Sequence, residues 1–183
     1  MPTSVDPGGT PSDLARHIVV TGLMGAGKTT TGRLLAERLG RPWRDSDIDI
    51  EFTTGMTARV LLDRLGTEAM HAREAAQLLD ALASPVANVI SAAASVIDDP
   101  ACRAAMTGTD VEVVWLRARP EVLATRFASA DDHRPSFGPS REAFLAEQAA
   151  RREPLLPSID AHVIEVDGLT RDEVVTRTLE ALG

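Results

Sequence analysis

One short stretch carries the plainest chemistry in the chain. In "VVTGLMGAGKTTTGRLL", Gly22, Gly27, Lys28 and Thr29 satisfy the spacing G-x-x-x-x-G-K-[ST], with an apolar run before it and a helical pattern after it. Glycines let the backbone curl so that several N–H groups point at one anion, and the following helix adds its positive end. Lys28 can reach the β- and γ-phosphates of a nucleotide, and the Thr29 hydroxyl can ligate Mg²⁺. Gly25, Ala26 and Thr30 complete the nucleotide-binding stretch. A glycine-rich turn that merely joins strand to helix is the plainer alternative, and the full motif in this context outweighs it.

The next chemistry lies in "WRDSDIDIE", where Asp45 and Asp47 are expected at the end of a second strand. Residues two apart on a strand share a face, and ligands of open α/β sheets sit beyond the carboxyl ends of the strands. One carboxylate is expected to hold the Mg²⁺ shell, while the other orients or deprotonates an acceptor hydroxyl. Helix capping is the alternative, with Ser46 or Asp47 at the N-cap and Asp49 and Glu51 favouring the helix N-terminus. The two readings are compatible.

The elements that must position these groups follow from periodicity. Strands are expected in "RHIVVTG", "PWRDSD", "VANVIS", "VEVVWL" and "AHVIEVD". Helices are expected from Lys28 to Leu39, Asp47 to Thr54, Thr57 to Leu65 and Thr67 to Leu82. Others are expected from Pro120 to about Phe127, from about Arg141 to Arg152, and from Thr170 to Leu182. Strands separated by helices imply parallel pairing with helices on both faces. The expected fold is a three-layer α/β/α phosphate-loop fold with a five-stranded parallel sheet. Residues 1–15 read as a flexible tail and 16–183 as one domain. The polar, turn-rich "ASADDHRPSFGPS" reads as a lid loop at about 128–140.

Bulk properties narrow the setting. The chain has 183 residues, 44% hydrophobic and 25% charged, enough for one sizeable core. A formal net charge of −8 argues against a nucleic-acid partner. A single cysteine, Cys102, allows no intramolecular disulfide and reads as a small buried hydrophobe. The first residues have neither the apolar run nor the basic start of a signal peptide, and no apolar stretch is long enough for a bilayer, so a cytoplasmic location without membrane contact is expected. His17, His133 and His162 lack metal-ligand spacing, so Mg²⁺ is the only metal expected. Trp43 and Trp115 read as core or pocket wall.

The chain resembles the shikimate kinases. The matching segments are "GLMGAGKTTTGRLLAERLG", "RDSDIDIE", "TGMTARVLLDRLG", "AREAAQLLDAL", "RP" at 134–135 and "RREPLL" at 151–156, which together span nearly all of residues 17–183. The resemblance implies a fold of the nucleoside-monophosphate-kinase type and transfer of the ATP γ-phosphoryl to a ring hydroxyl of shikimate with Mg²⁺. It assigns Lys28 to the phosphates, Thr29 to Mg²⁺, Asp45 to the metal's water shell and Asp47 to the acceptor hydroxyl. It places Arg126 against the adenine, Arg134 in the lid as a catalytic arginine, and Arg152 on the acceptor's carboxylate. The expected partners are ATP/ADP and a small hydroxylated acceptor, and the chain is expected to act as a monomer.

Departures from the family pattern fall in the acceptor pocket. Where the family has "GE-x-x-F-R", this chain has "GTEAMHARE", so His71 stands in an arginine's place and Met70 in an aromatic's. Arg73 is two residues on, about 200° around a helix, and is a poor substitute. The family's "GGG" is Ala92, Ala93 and Ala94, whose methyl groups narrow the space and disfavour positive φ. Its tyrosine after "R-x-P-L" is Leu156. A histidine cannot form the bidentate pair of an arginine, and losing such a charged partner costs about 1.5–3 kcal/mol, or ten- to a hundredfold in binding. Two rival readings accompany the kinase of shikimate-kinase type. One is a kinase for a different carbohydrate acceptor such as gluconate, and the other a nucleotide-binding protein that has lost catalysis.

Overall fold

Burial follows the strand pattern. "HIVVTG" forms a strand with all six residues buried, which only a sheet covered on both faces allows. The computed structural model describes residues 16–128 and 140–183. Its five strands are β1 (His17–Gly22), β2 (Trp43–Asp45), β3 (Val89–Ser91), β4 (Val111–Arg117) and β5 (His162–Glu165). They form one parallel sheet in the order β2-β3-β1-β4-β5. From the central β1 the chain passes to the edge strand β2, returns to β3 beside β1, and then crosses to β4 and β5 on the other side, so the loop after β1 opens at the point where the winding reverses. That is where ligands bind in open parallel sheets.

Among the described residues, seven helices cover the sheet: α1 (Lys28–Leu39), α2 (Ser46–Thr54), α3 (Ala58–Leu82), α4 (Pro100–Met106), α5 (Pro120–Ala128), α6 (Arg141–Arg152) and α7 (Arg171–Leu182). Right-handed crossovers place α1 on one face, where it packs with α7. They place α3 and α4, which pack together, on the other. Gly66, at φ 81 and ψ 171, breaks α3 into the two helices that the sequence implies. Three short elements do not show in the sequence pattern: 3₁₀ turns over 94–98 and 153–159, and α4. Each is too short for a periodic signal. Helix α4 is fixed instead by Pro100 at its start and by Asp99, whose side chain accepts from the Cys102 N–H.

Both tryptophans pack in or against the core, and the one on β2 bears on how closely α1 packs. Trp115 is fully buried, and the Trp43 indole N–H donates to Ser91 Oγ at 2.9 Å. A Cβ on Gly32 would lie 2.2 Å from Ser91 Oγ and 3.1 Å from the Trp43 ring nitrogen. Only glycine lets the first turns of α1 approach this closely. Cys102 is buried, and desolvation pushes its thiol up to about 12, so it is an inert packing group. Among the described residues, no helix is long and apolar enough to cross a membrane.

Candidate active site

The phosphate loop is shaped by three glycines with positive φ: Gly22 (144°), Gly25 (84°) and Gly27 (97°). A Cβ at Gly22 would sit 2.5 Å from the Leu116 carbonyl oxygen, so the loop leaves β1 in contact with β4. The Ala26 N–H donates to the Leu23 carbonyl at 3.1 Å, closing a tight turn. Gly27 caps α1, and the first backbone bond of the helix runs from the Thr31 N–H to the Gly27 carbonyl at 2.9 Å. The N–H groups of the first turn, Lys28 to Thr30, therefore precede any intrahelical acceptor and face the loop. The Lys28 ammonium donates to the Leu23 carbonyl at 3.2 Å, folded over the same loop.

Asp45 joins this loop to β2. Its Oδ2 accepts from Thr29 Oγ1 at 2.8 Å, and its Oδ1 accepts from the Asp47 N–H at 3.0 Å. This geometry corrects the sequence expectation. The strand stops at Asp45, which is itself the N-cap of α2, and Asp47 lies in the first turn of that helix. The two carboxylates do not share a strand face, and neither Ser46 nor Asp47 is the cap. Capping ends the strand two residues early, because a carboxylate bonded to the N2 backbone N–H fixes the first turn. Asp45 is buried while Asp47 is exposed. Burial raises the pKa of Asp45, as does the neighbouring charge of Asp47, against the hydrogen bond from Thr29.

The residues expected to hold the acceptor come from α3, the β3 exit and the end of α6. Ala92 continues the line of β3, donating its N–H to the Val20 carbonyl at 3.0 Å. The Thr21 hydroxyl donates to the Ala93 carbonyl at 3.3 Å. Ala93 has φ −62 and ψ 150, so the alanine run adopts no left-handed conformation. Ser95, one residue beyond the run, donates its hydroxyl to Glu74 Oε2. Glu74 is 4% exposed, and desolvation pushes its carboxyl up to about 7. Asp47 raises it further, while Lys28 and Arg152 lower it, which puts Glu74 within electrostatic reach of both ends of the site. The sequence reading missed it. The signal was present, since Glu74 is three residues after His71 and shares its helix face.

His71 is half-buried, and its pKa is lowered by burial and by the charges of Arg152 and Arg151, with Asp98 opposing. It is therefore predominantly neutral at pH 7. Arg152 is 5% exposed. Its Nε and Nη2 donate to Asp98 Oδ2 at 3.1 and 2.8 Å, and Arg151 Nη2 donates to the same oxygen. Burial favours the neutral acid at Asp98, yet these arginine hydrogen bonds and charges prevail and hold its pKa low.

A loop that cradles phosphate, tied through Thr29 and Asp45 to an acidic helix start, is the arrangement of a phosphoryl-transfer enzyme. Comparison with known proteins specifies the kind. The family model described as "Shikimate kinase" matches residues 24–183. The shikimate kinase of Symbiobacterium thermophilum is 37% identical over 169 residues, covering 91% of this chain and 95% of that protein. That of Tolumonas auensis is 34% identical over 171 residues, covering 92% and 97%. The structure of the Acinetobacter baumannii shikimate kinase in complex with shikimate superposes with a TM-score of 0.83 at 30% identity, covering 92% and 93% of the two chains. This chain belongs to the shikimate kinase family. It is accordingly an ATP-dependent kinase.

The other residues singled out by the likeness to shikimate kinases fall as follows. Arg126 is half-buried on α5 and donates through Nη2 to the Val166 carbonyl at 3.2 Å, which anchors it beside the loop after β5. Arg73 is exposed, one position from the buried Glu74, and does not stand in for the missing arginine. Met70 is half-buried, and Leu156 is 5% exposed within the core. Arg134, His133 and most of the expected lid lie outside the described residues, as do residues 1–15, read from the sequence as a tail. The described residues on either side of the expected lid are Ala128, the last of α5, and Ser140, whose hydroxyl caps α6 by accepting from the Ala143 N–H.

Proposed function

We propose that this member of the shikimate kinase family transfers the γ-phosphoryl group of ATP to a ring hydroxyl of shikimate or of a related small polyol or cyclitol acid. The observation that carries the reading is the Thr29–Asp45 hydrogen bond at the start of α1, with Lys28 and Asp47 both within electrostatic reach of Glu74. Phosphoryl transfer depends on positioning and charge neutralisation rather than covalent help from the protein. The loop N–H groups of Gly25 to Thr30 hold the triphosphate, and Lys28 neutralises charge on its outer phosphates. Asp47 accepts a hydrogen bond from the acceptor hydroxyl and takes its proton as the new P–O bond forms. Arg126 lies against the adenine, and Arg134 closes over the transferred group from the lid. Arg152, His71 and Ala92 to Ala94 line the acceptor's place.

The Thr29 hydroxyl and the Asp45 carboxylate are hard oxygen donors already brought together, and they suit Mg²⁺, Asp45 through the ion's water. When bound, Mg²⁺ would offset phosphate charge. Displacing the Thr29–Asp45 contact would give the buried Asp45 carboxylate a cationic partner, opposing the desolvation that now raises its pKa. The protein is proposed to act as a cytoplasmic monomer with no nucleic-acid or membrane partner.

Coupled ADP release tests the reading, with ATP and Mg²⁺ present and shikimate, gluconate and neutral cyclitols offered in turn. Acceptor-dependent ADP release supports a kinase, and the best acceptor identifies its class. ATP binding with no ADP release for any acceptor would favour a nucleotide-binding protein that has lost catalysis.

A further inference from the structure

Side chains of β2 and β3 lean on the start of α1, and one pair among them has no part in the site as described. Asp45 and Ser91 lie opposite each other in the register of the two strands, and Trp43 is two residues before Asp45. Side chains so placed share one face of a sheet, and this face carries α1. Asp45 accepts from the Thr29 hydroxyl. The Trp43 indole N–H donates to Ser91 Oγ at 2.9 Å, and Ser91 Oγ donates to the Lys28 main-chain carbonyl at 3.2 Å. Ser91 is 2% exposed, and the missing side chain of Gly32 leaves the gap in which these atoms meet.

The direction of this chain of bonds is fixed by its chemistry. An indole N–H can only donate, so Ser91 accepts from it and has its single hydroxyl proton left for the Lys28 carbonyl. A backbone carbonyl has two lone pairs, so this bond adds to the helix ladder without displacing it. Consecutive residues of α1 are thus tied to the sheet twice, Lys28 through Ser91 and Thr29 through Asp45. The two ties differ in what ligand binding does to them. In the function proposed above, on which this inference rests, Thr29 gives up Asp45 when it turns to Mg²⁺, whereas the main-chain tie has no such competitor. We propose that Ser91 and Trp43 are positioning residues, a directed pair of hydrogen bonds that keeps Lys28 and Thr29 in place on the triphosphate once the Thr29–Asp45 contact has opened. A misplacement of about 1 Å near reacting groups can cost a hundredfold in rate, so a tie at the residue that carries the ammonium bears on transfer.

A serine and an indole that merely satisfy each other in the interior would show the same bonds, so the test must separate packing from positioning coupled to the metal. Calorimetry on the full chain measures the affinity of the non-hydrolysable β,γ-imido analogue of ATP, with Mg²⁺ and with a chelator in its place. Mg²⁺ is expected to tighten binding to the native protein. In Ser91→Ala that gain should shrink by about tenfold, while metal-free binding falls less than threefold because the Thr29–Asp45 tie is then intact. Trp43→Phe keeps the apolar contact but removes the directing donor, and it should lose about threefold of the same gain. Thermal melting checks that each variant folds. A gain unchanged in either variant would overturn the proposal. So would equal weakening with and without the metal, which lost packing alone produces, and so would native binding that Mg²⁺ does not tighten. ADP release with the acceptors reports separately on phosphoryl transfer: its absence, with the Mg²⁺ gain still lost in the variants, would count against the kinase reading and leave the tie standing.

Discussion

The two ends of the site are built on different principles. The phosphate end is made of main chain: three glycines at positive φ, a helix start, and one lysine and one threonine within eight residues of one another. The proposed acceptor end would be made of side chains delivered by distant segments, with His71 and Glu74 from α3, Ala92 to Ala94 from the β3 exit, and Arg152 from the end of α6. Main-chain cradles need particular backbone shapes and so tolerate little change in sequence. Side-chain pockets can be re-lined one residue at a time on an unchanged frame. In this member of the shikimate kinase family the first end follows the family pattern and the second departs from it.

If that contrast holds, the largest effects belong to the phosphate end. Lys28→Ala is expected to lower turnover by about a thousandfold, since charge neutralisation in a water-poor site is the main catalytic term. Circular dichroism and thermal melting should show the fold intact, and unchanged turnover would break the comparison at its strongest point. Gly22→Ala should cost stability as well as nucleotide binding. Its φ of 144° and the Leu116 oxygen 2.5 Å from a new Cβ predict a loss of about 2 kcal/mol in urea unfolding.

The acceptor end predicts changes of degree. Glu74 has a carboxyl pushed from 4.5 up to about 7 by burial, so the folded state binds a proton more tightly than the unfolded chain. The native protein should therefore lose stability as pH rises from about 4.5 to 7, by up to about 3 kcal/mol from this group. Glu74→Gln should remove that slope and raise the melting temperature at pH 8 but not at pH 4; parallel pH profiles would show that Glu74 is not the group responsible. His71→Arg should tighten shikimate binding by about tenfold through a restored cation, read as KM with kcat little changed. Arg73→Ala should leave acceptor affinity within about twofold, because an exposed charge is worth little. A larger loss would mean that Arg73 had taken over the missing arginine's place.

The same contrast explains what the sequence could convey. The phosphate loop and the five strands were readable because their signals are local: glycine spacing, buried β-branched runs and helix stops. The end of β2 was misread because Asp45 can either extend a strand or cap a helix, and only the bond to the Asp47 N–H decides between them. The turn over 94–98 and α4 carry too few residues for periodicity. Asp98 reads as an ordinary loop acid until Arg152, 54 residues later, folds onto it, and no spacing rule links the two. Glu74 could have been recovered from its place on the His71 face, but its perturbed ionisation arises only in the folded chain, from burial and the charge of Asp47 against the hydrogen bond from Ser95.

The central claim, that a hydroxyl held before Asp47 attacks the phosphorus gripped by Lys28, can be tested by following the phosphoryl group itself. Phosphorus NMR of the protein with ATP, Mg²⁺ and the best acceptor should show a phosphomonoester resonance growing in step with ADP, and neither should appear with Lys28→Ala. Accumulation of inorganic phosphate alone, or ATP left intact with every acceptor, would contradict the account.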